Sequence, residues 1–331
     1  MSLVTSAATK AKKDVRWNAA DYAANSAAQQ IWARELIAQL HLHGNERILD
    51  VGCGDGKVTA ELARAVPKGT VTGIDTSPEM IRFARKTFPP GKHPNLEFQV
   101  MDAREISIAA LSAPGSAGVS PASTELRLPT GRRDAGAPRM RRLISNSKPR
   151  SPALSPLGRR EGEENARFDI VFSSSVLHWV DDHPAFLRGA AACLRPGGRL
   201  VVSCGGKGNA QDVFVALRPE LRLKQWYIFF RKLPKPYFFH SPADYEKWLP
   251  RFGLKMHSVK LTPKDAVYQG RDRFAAWFRT TWLPYTQRVP EDLREKFTAG
   301  VVDRYLGKHP PDAEGRVRVR MVRLEIDAVK V

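Results

Sequence analysis

The chain has 331 residues, 42% of them hydrophobic, which allows one large core or two moderate ones, and no run of eighteen apolar residues suits a membrane span. No secretory signal pattern opens it, and Cys53, Cys193 and Cys204 are odd in number and show no Cys-x-x-Cys spacing, so buried thiols are expected over disulfides or metal ligands, with a cytoplasmic location. The formal charge of +19 attracts phosphate, but most of the excess falls in residues 206–331, where a solvated basic face explains it better than nucleic acid does.

Ala19 to Leu42 is Ala-rich, with Ile31, Trp32, Leu36, Ile37 and Leu40 at helical spacing. Strand and helix then alternate. Arg47 to Val51 reads as strand and Lys57 to Val66 as a helix stopped by Pro67; Thr70 to Asp75 is strand, and Pro78 opens a helix at its first turn. Asn95 to Val100 and Phe168 to Ser173 are further strands; Pro184 to Leu194 is a helix, and Arg199 to Ser203 a fifth strand after the Pro196-Gly197-Gly198 turn. This alternation predicts an α/β fold: a doubly wound, Rossmann-like parallel sheet covered by helices on both faces.

Between Asp102 and Phe168 lie about sixty-five residues, where a crossover needs about a dozen. Residues 110–164 are rich in Ser, Pro, Gly and Arg, show neither apolar period, and are expected to be a disordered insertion. Eighteen of the 29 aromatics lie from Trp226 to Tyr305. Met256 to Leu261 and Val317 to Val329 alternate as strands that complete the sheet to seven, with an antiparallel C-terminal strand. Gln211 to Leu223, Ser241 to Phe252, Arg271 to Trp282 and Glu291 to Leu306 read as helices of a lid. The expected organisation is an N-terminal arm over 1–46, a ligand-binding core over 47–205 and a lobe over 206–331.

Ile48 to Thr59 is an apolar strand followed by a turn with Gly52, Gly54 and Gly56. Glycine there lets the backbone turn sharply and approach a ligand closely. Lys57 stands where a dinucleotide fingerprint needs its third glycine, and Asp50 and Asp55 repel a pyrophosphate. They suit a ligand that carries an ammonium and a sulfonium and no phosphate, such as S-adenosylmethionine. Asp75 ends the second strand where a carboxylate can accept both ribose hydroxyls.

Five motifs follow in order: Ile48 to Thr59, Gly73 to Met80, Met101-Asp102-Ala103, Phe168 to Phe172, and Leu194-Arg195-Pro196-Gly197-Gly198. This series resembles the class I S-adenosylmethionine-dependent methyltransferases, and the C-terminal stretch Ala276 to Tyr285 through Val317 to Ala328 is similar to a trans-aconitate-methyltransferase-like subgroup within them. The resemblance implies cofactor contacts from Asp50, Gly52, Cys53, Gly54, Asp75, Thr76, Met80, Asp102, Ala103 and Ser174, with Asp102 and the backbone of Ala103 at the adenine edge. Tyr22 and Gln29 are the implied polar contacts of a covering N-terminal helix.

At the end of the fourth strand, Ser173 to Val180 carries His178 and Trp179, which also resemble small-molecule carboxyl methyltransferases. They are the candidate catalytic pair; Trp179, Arg279 and Trp282 are candidate substrate contacts, with Arg279 framed by Trp277 and Trp282 for two-point carboxylate binding. Arg318, Arg320 and Arg323 read as a solvated face. A carboxylate acceptor needs no base, whereas His178 would deprotonate a hydroxyl or amine. No metal is implied, because the histidines lack acidic or thiolate company at ligand spacing. The expected activity is methyl transfer to a small anionic metabolite by a monomer or weak homodimer, with no membrane partner. An RNA methyltransferase and a catalytically silent cofactor-binding module remain open alternatives.

Overall fold

The computed structural model describes residues 15–19, 27–111 and 168–331. The expected insertion, from residue 112 onward, and Tyr22 lie outside them. Helix α1 (Ala27–Ala38) precedes β1 (Arg47–Val51), α2 (Lys57–Ala65), β2 (Thr70–Asp75), α3 (Pro78–Thr87), β3 (Leu96–Val100) and the short α4 (Ile108–Leu111). Then come β4 (Phe168–Ser174), a 3-10 turn (Leu177–Trp179), α5 (His183–Cys193) and β5 (Leu194–Gly205). The remainder holds α6 (Gln211–Leu221), α7 (Lys224–Phe230), α8 (Pro242–Trp248), β6 (Leu254–Gln269), α9 (Gly270–Thr281), α10 (Leu283–Thr286), α11 (Arg294–Leu306) and β7 (Arg316–Lys330).

The seven strands lie in the order β3-β2-β1-β4-β5-β7-β6. The first five are parallel, and β7 runs antiparallel to both β5 and β6. Period-two alternation divides the core between the two faces. Ile48, Ile170 and Phe172 pack with Leu36, Leu62 and Phe98 on one side. Leu49, Val51 and Val171 pack with Phe186, Leu187 and Leu194 on the other. The helix starts follow the local chemistry: Ser77 Oγ accepts Met80 N–H at 3.3 Å ahead of Pro78, and Asp182 accepts Ala185 N–H at 2.8 Å.

The sheet's far edge is longer than the sequence pattern indicates. Strand β6 spans sixteen residues, Leu254–Gln269, where apolar alternation marks only Met256 to Leu261. As an edge strand it needs little burial and tolerates Pro263 opposite Val322. Only Arg323–Val329 of β7 pairs with β5; Arg316–Val322 pairs with β6 alone, so the β6–β7 ribbon projects beyond the parallel strands. Val317, Val319 and Met321 on this projection anchor a third core of Trp226, Phe274, Trp277, Phe278, Phe297 and Tyr305 from α7, α9 and α11. That core stands beyond the carboxyl ends of β4 and β5, the side on which open α/β sheets bind ligands. Among the described residues no helix is long and apolar enough to cross a membrane.

Candidate active site

A cavity of about 1250 Å³ opens at the carboxyl ends of the parallel strands. Ligand pockets commonly measure about 300–1,000 Å³, so this one has room for a cofactor and an acceptor together. One wall is the β1–α2 turn. Gly52, Gly54 and Gly56 all have positive φ (+78°, +54° and +82°), which explains glycine at each. Gly52 and Cys53 N–H both donate to Ile74 O, at 2.7 and 2.9 Å, and tie the turn to β2. A Cβ on Gly52 would stand 2.2 Å from Val176 Cγ2, so the turn is pressed against the segment that leads into the 3-10 turn.

Asp75 ends β2 on the cavity wall. Its Oδ1 accepts Ser77 N–H at 2.8 Å and its Oδ2 accepts Gly54 N–H at 3.1 Å. Burial raises its pKa, against those two backbone donors, which lower it. Thr76, Glu79, Met80, Asp102 and Ala103 continue this wall. Arg104 holds Asp102 in a two-point ion pair (3.0 and 2.6 Å) and reaches Asp181 at 2.9 Å, so the Asp102 carboxylate already carries a guanidinium. Gln29 of α1 faces the cavity, and its Oε1 is buried with no hydrogen-bond partner among the described residues.

Asp50, Cys53 and Ser174 do not line the cavity. Strand alternation turns Val51 toward it and Asp50 away, so the Asp50 carboxylate accepts the Thr59 hydroxyl at 2.8 Å inside α2. There burial raises it to about 7, with the charge of Asp75 adding to the shift and the Thr59 hydrogen bond opposing it. Cys53 packs into the core beside Ala60, and its thiol is pushed up by burial. Of the residues implied as cofactor contacts, these three therefore stand behind the cavity wall.

The opposite wall is aromatic. Trp179 meets Tyr237 edge-on at 4.9 Å and Trp17 at 5.4 Å, and Tyr237 meets Trp282 at 5.7 Å. Val15, Arg16 and Trp17 lie against the cavity; Gln287 grips Arg16 by accepting its N–H at 3.0 Å and donating to its carbonyl at 2.5 Å. Ser175 has φ +64°, uncommon for serine, and is held by Ser203 O and the Arg323 guanidinium. This kink delivers His178 and Trp179 to the cavity. His178 accepts Gly205 N–H at Nδ1 over 3.3 Å, and burial, with the charge of Arg323 and of His183, lowers it to about 3.

Arg279 is not in the cavity. It follows Trp277 by two residues, which places it on the opposite side of α9, where it pairs with Glu295 at 3.3 Å. Arg323, read as a surface residue, is 3% exposed. It donates to Ser203 O at 2.8 Å and Ser175 Oγ at 3.0 Å and lies 5.0 Å over the Trp32 ring. A usable signal existed: Arg323 continues the face of Val317, Val319 and Met321, whereas Arg318 and Arg320 occupy the other. Sequence reasoning also missed Lys235, Tyr237, Arg288 and Arg294, for which loop and helix-end positions gave no pattern.

The residues present fit S-adenosylmethionine. The glycine turn leaves backbone exposed, Asp75 ends β2, Gln29 offers a buried acceptor with no partner among the described residues, and Asp75 and Glu79 add carboxylates to this wall beyond Asp102 and Asp181, which Arg104 pairs. The comparisons agree. Residues 24–259 match the family described as "Methyltransferase domain". A protein of Invertebrate iridescent virus 6 named as methyltransferase 235L is 36% identical over 290 residues, 87% of this chain and 85% of that one. The trans-aconitate 2-methyltransferase of Agrobacterium fabrum is 26% identical over 328 residues, 95% of this chain and 99% of its own. The solved structure of YcgJ from Bacillus subtilis shares the fold at a TM-score of 0.50 and 16% identity, covering 90% of this chain and 97% of that one. The chain therefore belongs to the methyltransferase domain family and is an S-adenosylmethionine-dependent methyltransferase.

Proposed function

We propose that this enzyme methylates an oxygen of a small carboxylate-bearing metabolite. The observation that carries the reading is the acid-free, cationic lining that the C-terminal lobe gives the cavity. The lining residues beyond Gly205 include Lys235, Arg288, Arg294 and Arg323 and no acid, whereas the parallel core supplies the acids Asp75, Glu79, Asp102 and Asp181 together with Arg82 and Arg104. Four cations among aromatic rings favour an anionic acceptor, and planar guanidiniums match a carboxylate at two points. The resemblance to trans-aconitate 2-methyltransferases points the same way.

In this reading residues 47–205 bind the cofactor, 1–46 cover it and 206–331 form the acceptor lobe. Asp75 accepts the ribose hydroxyls, Asp102 and the Ala103 N–H meet the adenine edge, and Gly52, Gly54 and Gln29 hold the amino-acid end. The bound cofactor supplies an electrophilic methyl group for in-line displacement. The chain's work is alignment and exclusion of water: Trp17, Trp179, Tyr237 and Trp282 enclose the acceptor, and the cations fix its carboxylates. Incubation with methyl-labelled cofactor and either a panel of small mono-, di- and tricarboxylates or total RNA tests this. Base-labile label in a carboxylate is the expected result, and label in RNA alone overturns it.

A further inference from the structure

We infer that His178 is a fixed hydrogen-bond donor to the acceptor's anionic oxygen through Nε2–H, and not a general base, so that the site selects acceptors that arrive already ionised. This rests on the proposed carboxylate acceptor and specifies how the same site recognises it.

The tautomer follows from the surroundings of the ring. The Gly205 N–H points at Nδ1 across 3.3 Å, so Nδ1 must be the unprotonated acceptor, and a neutral imidazole then carries its proton on Nε2. Phe238 N–H donates to the His178 carbonyl at 2.8 Å and fixes the backbone as well. Phe239 stacks on the ring at 6.1 Å and 27°, and Trp179 and Tyr237 lie 5.7 and 6.2 Å away, so the ring is held from several sides. His178 lines the cavity, and with Nδ1 engaged the Nε2 edge is the one left for a ligand.

The charged and titratable groups around it oppose a second proton. Arg323 on β7 and His183 on α5 disfavour an imidazolium, and Tyr237, itself raised well above its ordinary value by burial, is no proton acceptor near neutrality. His178 therefore has neither a lone pair to offer at Nε2 nor a free one at Nδ1. In the transfer, the acceptor carboxylate oxygen forms the new C–O bond as the methyl C–S bond breaks, the electron pair passes to sulfur, and no proton moves. The Nε2–H orients the oxygen for that attack.

The test starts with the ring itself. The full-length protein labelled with 15N-histidine, with His178→Gln used to assign the ring, is expected to show a pyridine-type Nδ1 and a pyrrole-type Nε2 unchanged from pH 5 to 8. A ring that titrates in that range, or carries its proton on Nδ1, overturns the donor role whatever the acceptor is. Kinetics on the carboxylate methylated fastest in the panel then separate donor from base. The wild-type kcat/KM is expected to be flat from pH 6 to 9, His178→Gln to retain activity within about tenfold because its amide still donates, and His178→Leu to lose about 100-fold, mostly in KM. A wild-type limb between pH 6 and 8 that vanishes in His178→Gln, or a His178→Leu protein as active as wild type, refutes the inference while leaving carboxylate methylation standing. The expected tautomer with no carboxylate methylated overturns the acceptor class instead, and with it the oxygen named here.

Discussion

Gly52→Ala probes the contact on which the site's geometry depends. The substitution carries two costs that the structure separates. Alanine at φ +78° loses about 1–2 kcal/mol in the left-handed region. Its Cβ would also stand 2.2, 2.4 and 2.7 Å from Val176 Cγ2, Cγ1 and Cβ. Because the Val176 Cβ is itself too close, no valine rotamer clears the clash, and backbone must move at about 1–3 kcal/mol. The sum, about 2–5 kcal/mol, is less than the usual stability of a domain, so the variant still folds at 25 °C. Val176 leads directly into Leu177–Trp179, so the displacement also reaches the methyl-acceptor wall. Urea unfolding measures the stability, and calorimetry the cofactor affinity, which is expected to fall at least tenfold. Val176→Gly removes the steric part and leaves the backbone part. A double-mutant cycle should therefore recover about 1–3 kcal/mol relative to additivity. A Gly52→Ala protein as stable and as tightly binding as wild type, or a strictly additive cycle, refutes the argument.

Two further outcomes are expected. Arg279→Ala should change stability by less than about 1 kcal/mol and leave KM for the acceptor unaltered, because its surface pair with Glu295 is screened by solvent; a tenfold rise in KM would return Arg279 to the site. Asp50→Asn should gain stability relative to wild type as pH rises. In the folded protein burial holds the Asp50 proton up to about pH 7, whereas the unfolded carboxyl releases it near pH 4. That contribution is present below pH 4 and lost on rising through 7, a difference approaching about 4 kcal/mol at pH 8. Unfolding free energies of the two proteins, compared at pH 4, 6 and 8, cancel the histidine contributions they share; a constant or shrinking difference contradicts the argument.

The parallel half of the fold is legible because each strand announces itself. Ile48, Ile170 and Phe172 alternate with Leu49, Val51 and Val171, and Pro and Gly mark the intervening ends, so the first five strands fall within a residue or two of their expected places, save that β5 already begins at Leu194. Strand β6 was less legible because an edge strand carries no obligation to alternate: Lys260, Lys264 and Asp265 face solvent or their neighbours without breaking its ladder. The same rule that identified β7 as a strand separates Arg323 from Arg318 and Arg320, but the value of that separation depends on what covers each face.

What the sequence determined was therefore the chemistry of the cofactor half. Spacing of glycines and acids along consecutive strands is local, and a parallel sheet brings those strand ends together whatever else the chain does. The acceptor half was decided only by tertiary structure. Lys235, Arg288, Arg294 and Arg323 come from a loop, a helix end, a helix start and a strand, and they share one cavity because the projecting β6–β7 ribbon carries an aromatic core beyond the ends of the parallel strands. Helical geometry in turn sends Arg279 outward although its neighbours in sequence line the site. Residue type and spacing cannot encode which face of a helix or strand meets a surface that distant segments build.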